Sequence, residues 1–176
     1  MRVDYSIRVW ADRPGGRMSD EISTLRRILQ ENRAIAVVGL SADWYRPSYF
    51  AAKYMQQHGY RVIPVNPRYA GQKVLGETCY ASLKDIPDKV DLVDVFRRSE
   101  DVMPIAEDAI AIGARALWQQ IGVKNAAAAE AARKAGLDAV MDRCVKIEHA
   151  RLFGGLNWVG VNTRVISAKR PRVIAN

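Results

Sequence analysis

The sequence predicts an α/β domain of doubly wound topology, with a mostly parallel sheet of five to six strands and helices on both faces. Two observations carry that prediction. Short apolar, β-branched runs recur at least five times with helix-patterned segments between them, the alternation that builds a parallel sheet. The run Ala34-Ile35-Ala36-Val37-Val38 stops at Gly39, and helix-start chemistry follows at Arg46-Pro47-Ser48. That is how a buried parallel strand enters a phosphate-cradling turn. Right-handed crossovers between such strands place helices on both faces. With no composition break and no internal repeat, one domain is expected over 19–153. It is flanked by an N-terminal arm or accessory strand (1–18) and a basic C-terminal extension (154–176).

The elements follow in order. Tyr5-Ser6-Ile7-Arg8-Val9-Trp10 alternates loosely like a strand and is broken at Arg13-Pro14-Gly15-Gly16. Ser19 is a good helix cap, Asp20 and Glu21 complement the dipole, and Ile22, Leu25, Ile28 and Leu29 share one face. The first core strand is Ile35 to Gly39. Pro47 suits the first position of a helix that runs to His58 and stops at Gly59. Tyr60 to Val65 is the second strand, where Pro64 is expected to strain a central position. Residues Tyr69 to Lys89 form an irregular connection with a short helical segment near Ser82 to Asp85. Asp91 to Phe96 is the third strand, and the helix after it ends near Ile112. Arg115 to Gln119 is the fourth strand, Asn125 caps an alanine-rich helix closed by Gly136, Leu137 to Met141 is the fifth strand, and Arg143 to Leu152 the last helix.

Composition narrows the functional classes. The 176 residues are 49% hydrophobic and 26% charged, enough for a core without staples. No apolar run approaches the roughly 20 residues of a membrane helix, and no signal-peptide pattern is read at the start. Two distant cysteines, Cys79 and Cys144, make no disulfide framework, which points to a reducing cytoplasm. The net charge is +8, and after His149 five basic residues stand with no acidic one. The remaining chain is only mildly basic, which argues against a nucleic-acid face across the fold.

In this topology ligands bind at the carboxyl ends of the strands. The residues there are Gly39-Leu40-Ser41, Asn66-Pro67-Arg68, Phe96-Arg97 and Gln119-Gln120-Ile121-Gly122. A Gly-x-Gly-x-x-Gly run is absent, and the second strand ends in Asn66 with Arg68 rather than in the carboxylate that a NAD ribose needs. An arginine there suits a phosphorylated ribose, either the 2′-phosphate of NADP or the 3′-phosphate of coenzyme A (CoA). Arg46 and Arg97 add bidentate cations for a diphosphate, and Ser48 near a helix start makes an anion seat.

These segments, together with Ile63-Pro64-Val65, Val90 to Arg97, Leu117 to Gly122 and Asp142 to His149, resemble the small stand-alone CoA-binding proteins. Their domain is similar to the CoA-binding domain of succinyl-CoA synthetase α-subunits. The resemblance covers roughly residues 20 to 153 and implies a Rossmann-like fold with CoA over the sheet edge. By position it implies that Gly39, Leu40 and Ser41 line the diphosphate turn and that Arg46 and Ser48 meet phosphates. Val65, Asn66, Pro67 and Arg68 would hold the adenosine and its 3′-phosphate, and Phe96, Arg97, Gln119, Gln120 and Ile121 would border the pantetheine path. The phosphohistidine domain of the ligases has no counterpart here, so ligase activity is not implied. The expected function is binding of CoA or an acyl-CoA. An NADP-dependent oxidoreductase and a polyanion-binding or assembly factor using the basic tail are the competing classes.

Other constellations read as structural. Cys144, Glu148 and His149 are too few for a metal site, and a Cys144 that formed a mixed disulfide with bound CoA would need a depressed thiol pKa. His58 suits a helix end, and Trp118 the core. Trp44 and Tyr45 lie in the exposed loop after the first strand, where an adenine contact and loop packing are equally open readings, and Asp91 and Asp94 fall on opposite strand faces. Trp158 to Ile166 alternates like a strand that could pair with Ile7 to Trp10 within the chain or across a homodimer.

Overall fold

Strands that are apolar on both sides need helices on both sides, and the chain supplies them in alternation. The structure, a computed structural model, describes residues 18–154. The elements are α1 (Met18–Glu31), β1 (Ala34–Val38), α2 (Pro47–Gln57), β2 (Arg61–Val65), β3 (Lys73–Val74), β4 (Glu77–Thr78), β5 (Leu92–Val95), α3 (Val102–Ala111), β6 (Ala116–Gln119), α4 (Ala126–Lys134), β7 (Asp138–Val140) and α5 (Val145–Phe153). Five strands form a parallel sheet in the order β2-β1-β5-β6-β7. The predicted strands near residues 5–10 and 158–166 lie outside the described residues.

The two faces have separate cores. On one, Leu25, Ile28 and Leu29 of α1, Ala52 and Met55 of α2 and Leu152 of α5 pack with Trp118. On the other, Val102, Ala106 and Ala109 of α3 meet Ala128 and Ala132 of α4. Alanines let these two helices lie close to the sheet and to each other. The Asn125 cap is as predicted, its Oδ1 accepting from the Ala128 N–H at 2.9 Å.

Three details depart from the sequence reading. Helix α1 begins at Met18, ahead of its expected Ser19 cap, and Ile22 is exposed rather than on the buried stripe. Pro64 lies on an edge strand, not a central one. Its carbonyl accepts from the Tyr80 N–H on the outer side, so its missing N–H also falls on the outer edge, where proline is tolerated. The connection after β2 holds a tight hairpin, β3 to β4, turning at Leu75 (φ 52°) and Gly76 (φ 85°). Positive φ at both central residues is the hairpin geometry that matches strand twist, and leucine is a poor advertisement for it.

Candidate functional site

Strand β1 continues to β2 on one side of the sheet, while β5 continues to β6 on the other. Connections leaving in opposite directions open a crevice at the carboxyl ends of β1 and β5. A cleft of about 390 Å³ lies there, with Val38, Gly39, Val65 and Pro67 at the ends of β1 and β2. Ser82, Leu83, Arg97, Pro104 and Ile105 also line it.

Gly39 sets the geometry of this crevice. Its φ is +87°, and a Cβ would collide with the Phe96 carbonyl oxygen and come within 3.0 Å of the Arg97 Cδ. The Gly39 backbone thus packs closely against the neighbouring β5 turn. The Gly39 N–H donates to the Val65 carbonyl and the Phe96 N–H to the Val38 carbonyl, each at 2.8 Å, so three strand ends are tied together.

The turn after β1 is held from both sides. Asn66 Nδ2 donates to the Leu40 carbonyl at 2.9 Å, while Asn66 Oδ1 accepts from the Arg68 N–H at 3.1 Å. The Leu40 side chain is fully buried, leaving its backbone to face the turn. The Ser41 N–H donates to Ser48 Oγ and the Asp43 N–H to Ser41 Oγ, both at 3.1 Å. Ser48, buried at the start of α2, therefore shapes the turn. Helix α2 begins at Pro47 with no side-chain cap on its first amides, the arrangement that favours an anion.

The cations differ in their commitments. Arg46 lies over the Tyr45 ring at 5.5 Å and Arg68 over the Tyr69 ring at 5.6 Å. Both are exposed, and among the described residues neither is in an ion pair with a carboxylate. Arg97 faces Asp101 at 3.5 Å. The other acids of the cleft wall are also paired, Asp108 with Lys84 at 2.6 Å and Glu100 with Arg98 at 4.0 Å, which moderates their repulsion of an anion.

Gln119 and Gln120 work beneath the site. Gln119 is fully buried; its Nε2 donates to the Asn125 carbonyl at 3.0 Å and its Oε1 accepts from the Asn125 N–H at 2.7 Å. Gln120 Nε2 donates to Asp94 Oδ1 at 2.7 Å. Burial pushes the Asp94 carboxyl up to about 7, against the lowering effect of Gln120 and the Val95 amide. Ser99, which the sequence reading missed, joins the turns after β5 and β6: its Oγ accepts from the Lys124 N–H at 2.8 Å and its carbonyl from Asn125 Nδ2 at 2.9 Å. Ile121 projects from this block, 64% exposed. Ser82, Leu83, Pro104 and Ile105 were also missed, because only the tertiary fold brings their segments to the crevice.

The structural readings are consistent with what surrounds these groups. Trp118 is fully buried and its Nε1 donates to the Arg143 carbonyl at 2.7 Å. His58 ends α2, with its Nδ1 2.7 Å from the Tyr54 carbonyl. His149 packs among Tyr54, His58, Tyr60 and Phe153, and Glu148 pairs with Arg143 and Arg151. Among the described residues no three His, Cys, Asp or Glu side chains are placed to hold a metal. Burial pushes the Cys144 thiol up, and the Asp94 charge adds to this, the opposite of what a reactive thiolate needs.

Strand order and crevice together define a Rossmann-like α/β domain whose strand order reverses between β1 and β5, where the crevice opens. The profile of the CoA binding domain family matches residues 33–150, and the chain belongs to that family. It is 40% identical over 126 residues to the uncharacterized protein YneT of Bacillus subtilis, covering 72% of this chain and 92% of YneT. A hypothetical protein from Pyrococcus horikoshii has a solved structure that superposes with a TM-score of 0.72 at 42% identity, covering 76% of this chain and 92% of that one. A 62-residue stretch is 36% identical to an ADP-forming acetate–CoA ligase II of Archaeoglobus fulgidus, covering 34% of this chain and 9% of the ligase. The family named from the sequence motifs is therefore the family found. No helix among the described residues is long and apolar enough to cross a membrane.

Proposed function

We propose that this chain binds coenzyme A, free or acylated, at the carboxyl ends of its parallel strands, as a binding module without chemistry of its own. The observation that carries the reading is the pairing of a part-apolar crevice at the switch point with Arg46 and Arg68, two exposed arginines without carboxylate partners among the described residues. The residues present fit such a ligand. Val65, Pro67, Leu83 and Ile105 offer apolar surface for an adenine, and Arg68 just beyond offers a bidentate cation for a ribose 3′-phosphate. Arg46, Ser41 and the uncapped start of α2 would take the diphosphate. The pantetheine arm would pass Phe96 and Arg97 toward Gln119, Gln120 and Ile121. Membership of the family supports the same ligand.

Heat denaturation of the purified chain with CoA, NADP or no ligand tests this. A ligand at 100 times its dissociation constant stabilises the folded state by about 2.7 kcal/mol. CoA is expected to raise the unfolding midpoint and NADP to leave it in place. A rise with NADP and none with CoA would make the chain a dinucleotide binder instead.

A further inference from the structure

The turn after β6 is braced from below by a residue in an unusual conformation. Asp142, two residues beyond β7, has φ +58°, a left-handed backbone that non-glycine residues seldom adopt. Its Oδ1 accepts from the Gly122 N–H at 2.8 Å and its Oδ2 lies 2.8 Å from Lys124 Nζ. Gly122 is itself left-handed, at φ +83°. A single carboxylate thus holds both the crest and the far limb of the turn that carries Ile121. Gln119 and Gln120, at the near limb, are already fixed by Asn125 and Asp94. Beyond the crest the Val123 N–H donates to the Gln120 carbonyl at 2.9 Å and the Lys124 N–H to Ser99 Oγ at 2.8 Å, so what Asp142 adds is the hold on the Gly122 amide of the crest itself.

We infer that Asp142 is a positioning residue for the pantetheine half of the ligand: it holds the Ile121 turn in the conformation that the arm meets. This rests on the CoA reading above. The local geometry explains why an acid occupies the place. Aspartate tolerates the left-handed region better than most residues, and its two oxygens can serve the amide and the ammonium at once. On that reading the adenosine half would lie at the ends of β1 and β2, on the other side of β5 from this brace.

The test compares CoA with adenosine 3′,5′-bisphosphate, which lacks the diphosphate-linked pantetheine, by calorimetry on the full chain. Asp142→Gly keeps the left-handed backbone without strain and removes both contacts, so the variant folds. Its affinity for CoA is expected to fall about tenfold while that for the bisphosphate stays within about twofold, the cost of ordering a loop and its side chain on binding. Asp142→Asn keeps the Gly122 acceptor and should retain most CoA affinity. Unchanged CoA binding by Asp142→Gly, or equal loss for both ligands, would overturn the inference. Failure of the unmodified chain to bind CoA would instead remove the reading beneath it.

Discussion

Asp94→Asn probes the buried carboxyl of the central strand β5. Asp94 sits on a central strand, 1% exposed, with Gln120 Nε2 donating to it. Burial raises its pKa from 3.8 to about 7. Between those values the folded chain keeps a proton that the unfolded chain has lost, so stability contributed by this residue falls as pH rises through the window and levels off above it. The full shift corresponds to about 4 kcal/mol. Asparagine has the same shape, still accepts from Gln120 and carries no charge. Asp94→Asn should therefore match the parent near pH 4 and become more stable than it as pH rises, by up to about 4 kcal/mol at pH 8. Urea unfolding of both proteins at intervals from pH 4 to 8 measures the difference directly. A difference that stays flat across that range, or that grows toward acid, would refute the assignment of a buried, proton-retaining carboxyl.

Two further outcomes follow from the same crevice. Gly39→Ala forces a side chain into a left-handed position against the Phe96 carbonyl, so a loss of about 1–3 kcal/mol is expected from the strain, with the Cβ collision adding to it; an unfolding midpoint unchanged from the parent would contradict it. Arg68→Ala should weaken CoA about tenfold and dephospho-CoA little, as loss of a charge-assisted contact to one phosphate requires. Calorimetry showing equal loss for both ligands would take Arg68 away from the 3′-phosphate.

Much of this fold could be read from local pattern. The first strand, the Pro47 helix start and the Asn125 cap are each written in a few adjacent residues; the structure has the last two where expected and the strand at Ala34–Val38, one residue earlier than Ile35 to Gly39. Strand order is a different kind of information. Pro64 looked like strain in a central strand because nothing local says that β2 lies at the edge. The hairpin at Leu75-Gly76 was missed because its first positive φ falls on a leucine. At the candidate site, the special backbone at Gly39 could be read from residue type and the arginines proposed from it, since that chemistry is carried by the side chain or its absence. The roles of Asn66, Gln119 and Gln120 could not, because each spends hydrogen bonds on a partner that only the fold supplies. Ser99 and Asp142 belong to the same class: polar residues whose work is to join two turns.

On the proposed reading the β1–β5 crevice seats a 3′-phosphorylated ADP carrying pantetheine. Native mass spectrometry of the full chain, offered CoA, dephospho-CoA, NADP and NAD together at equal concentration, tests it most directly. The predicted result is one dominant adduct at the mass of CoA, reduced in Arg68→Ala. A dominant NADP adduct, or no adduct with any of the four, would contradict it.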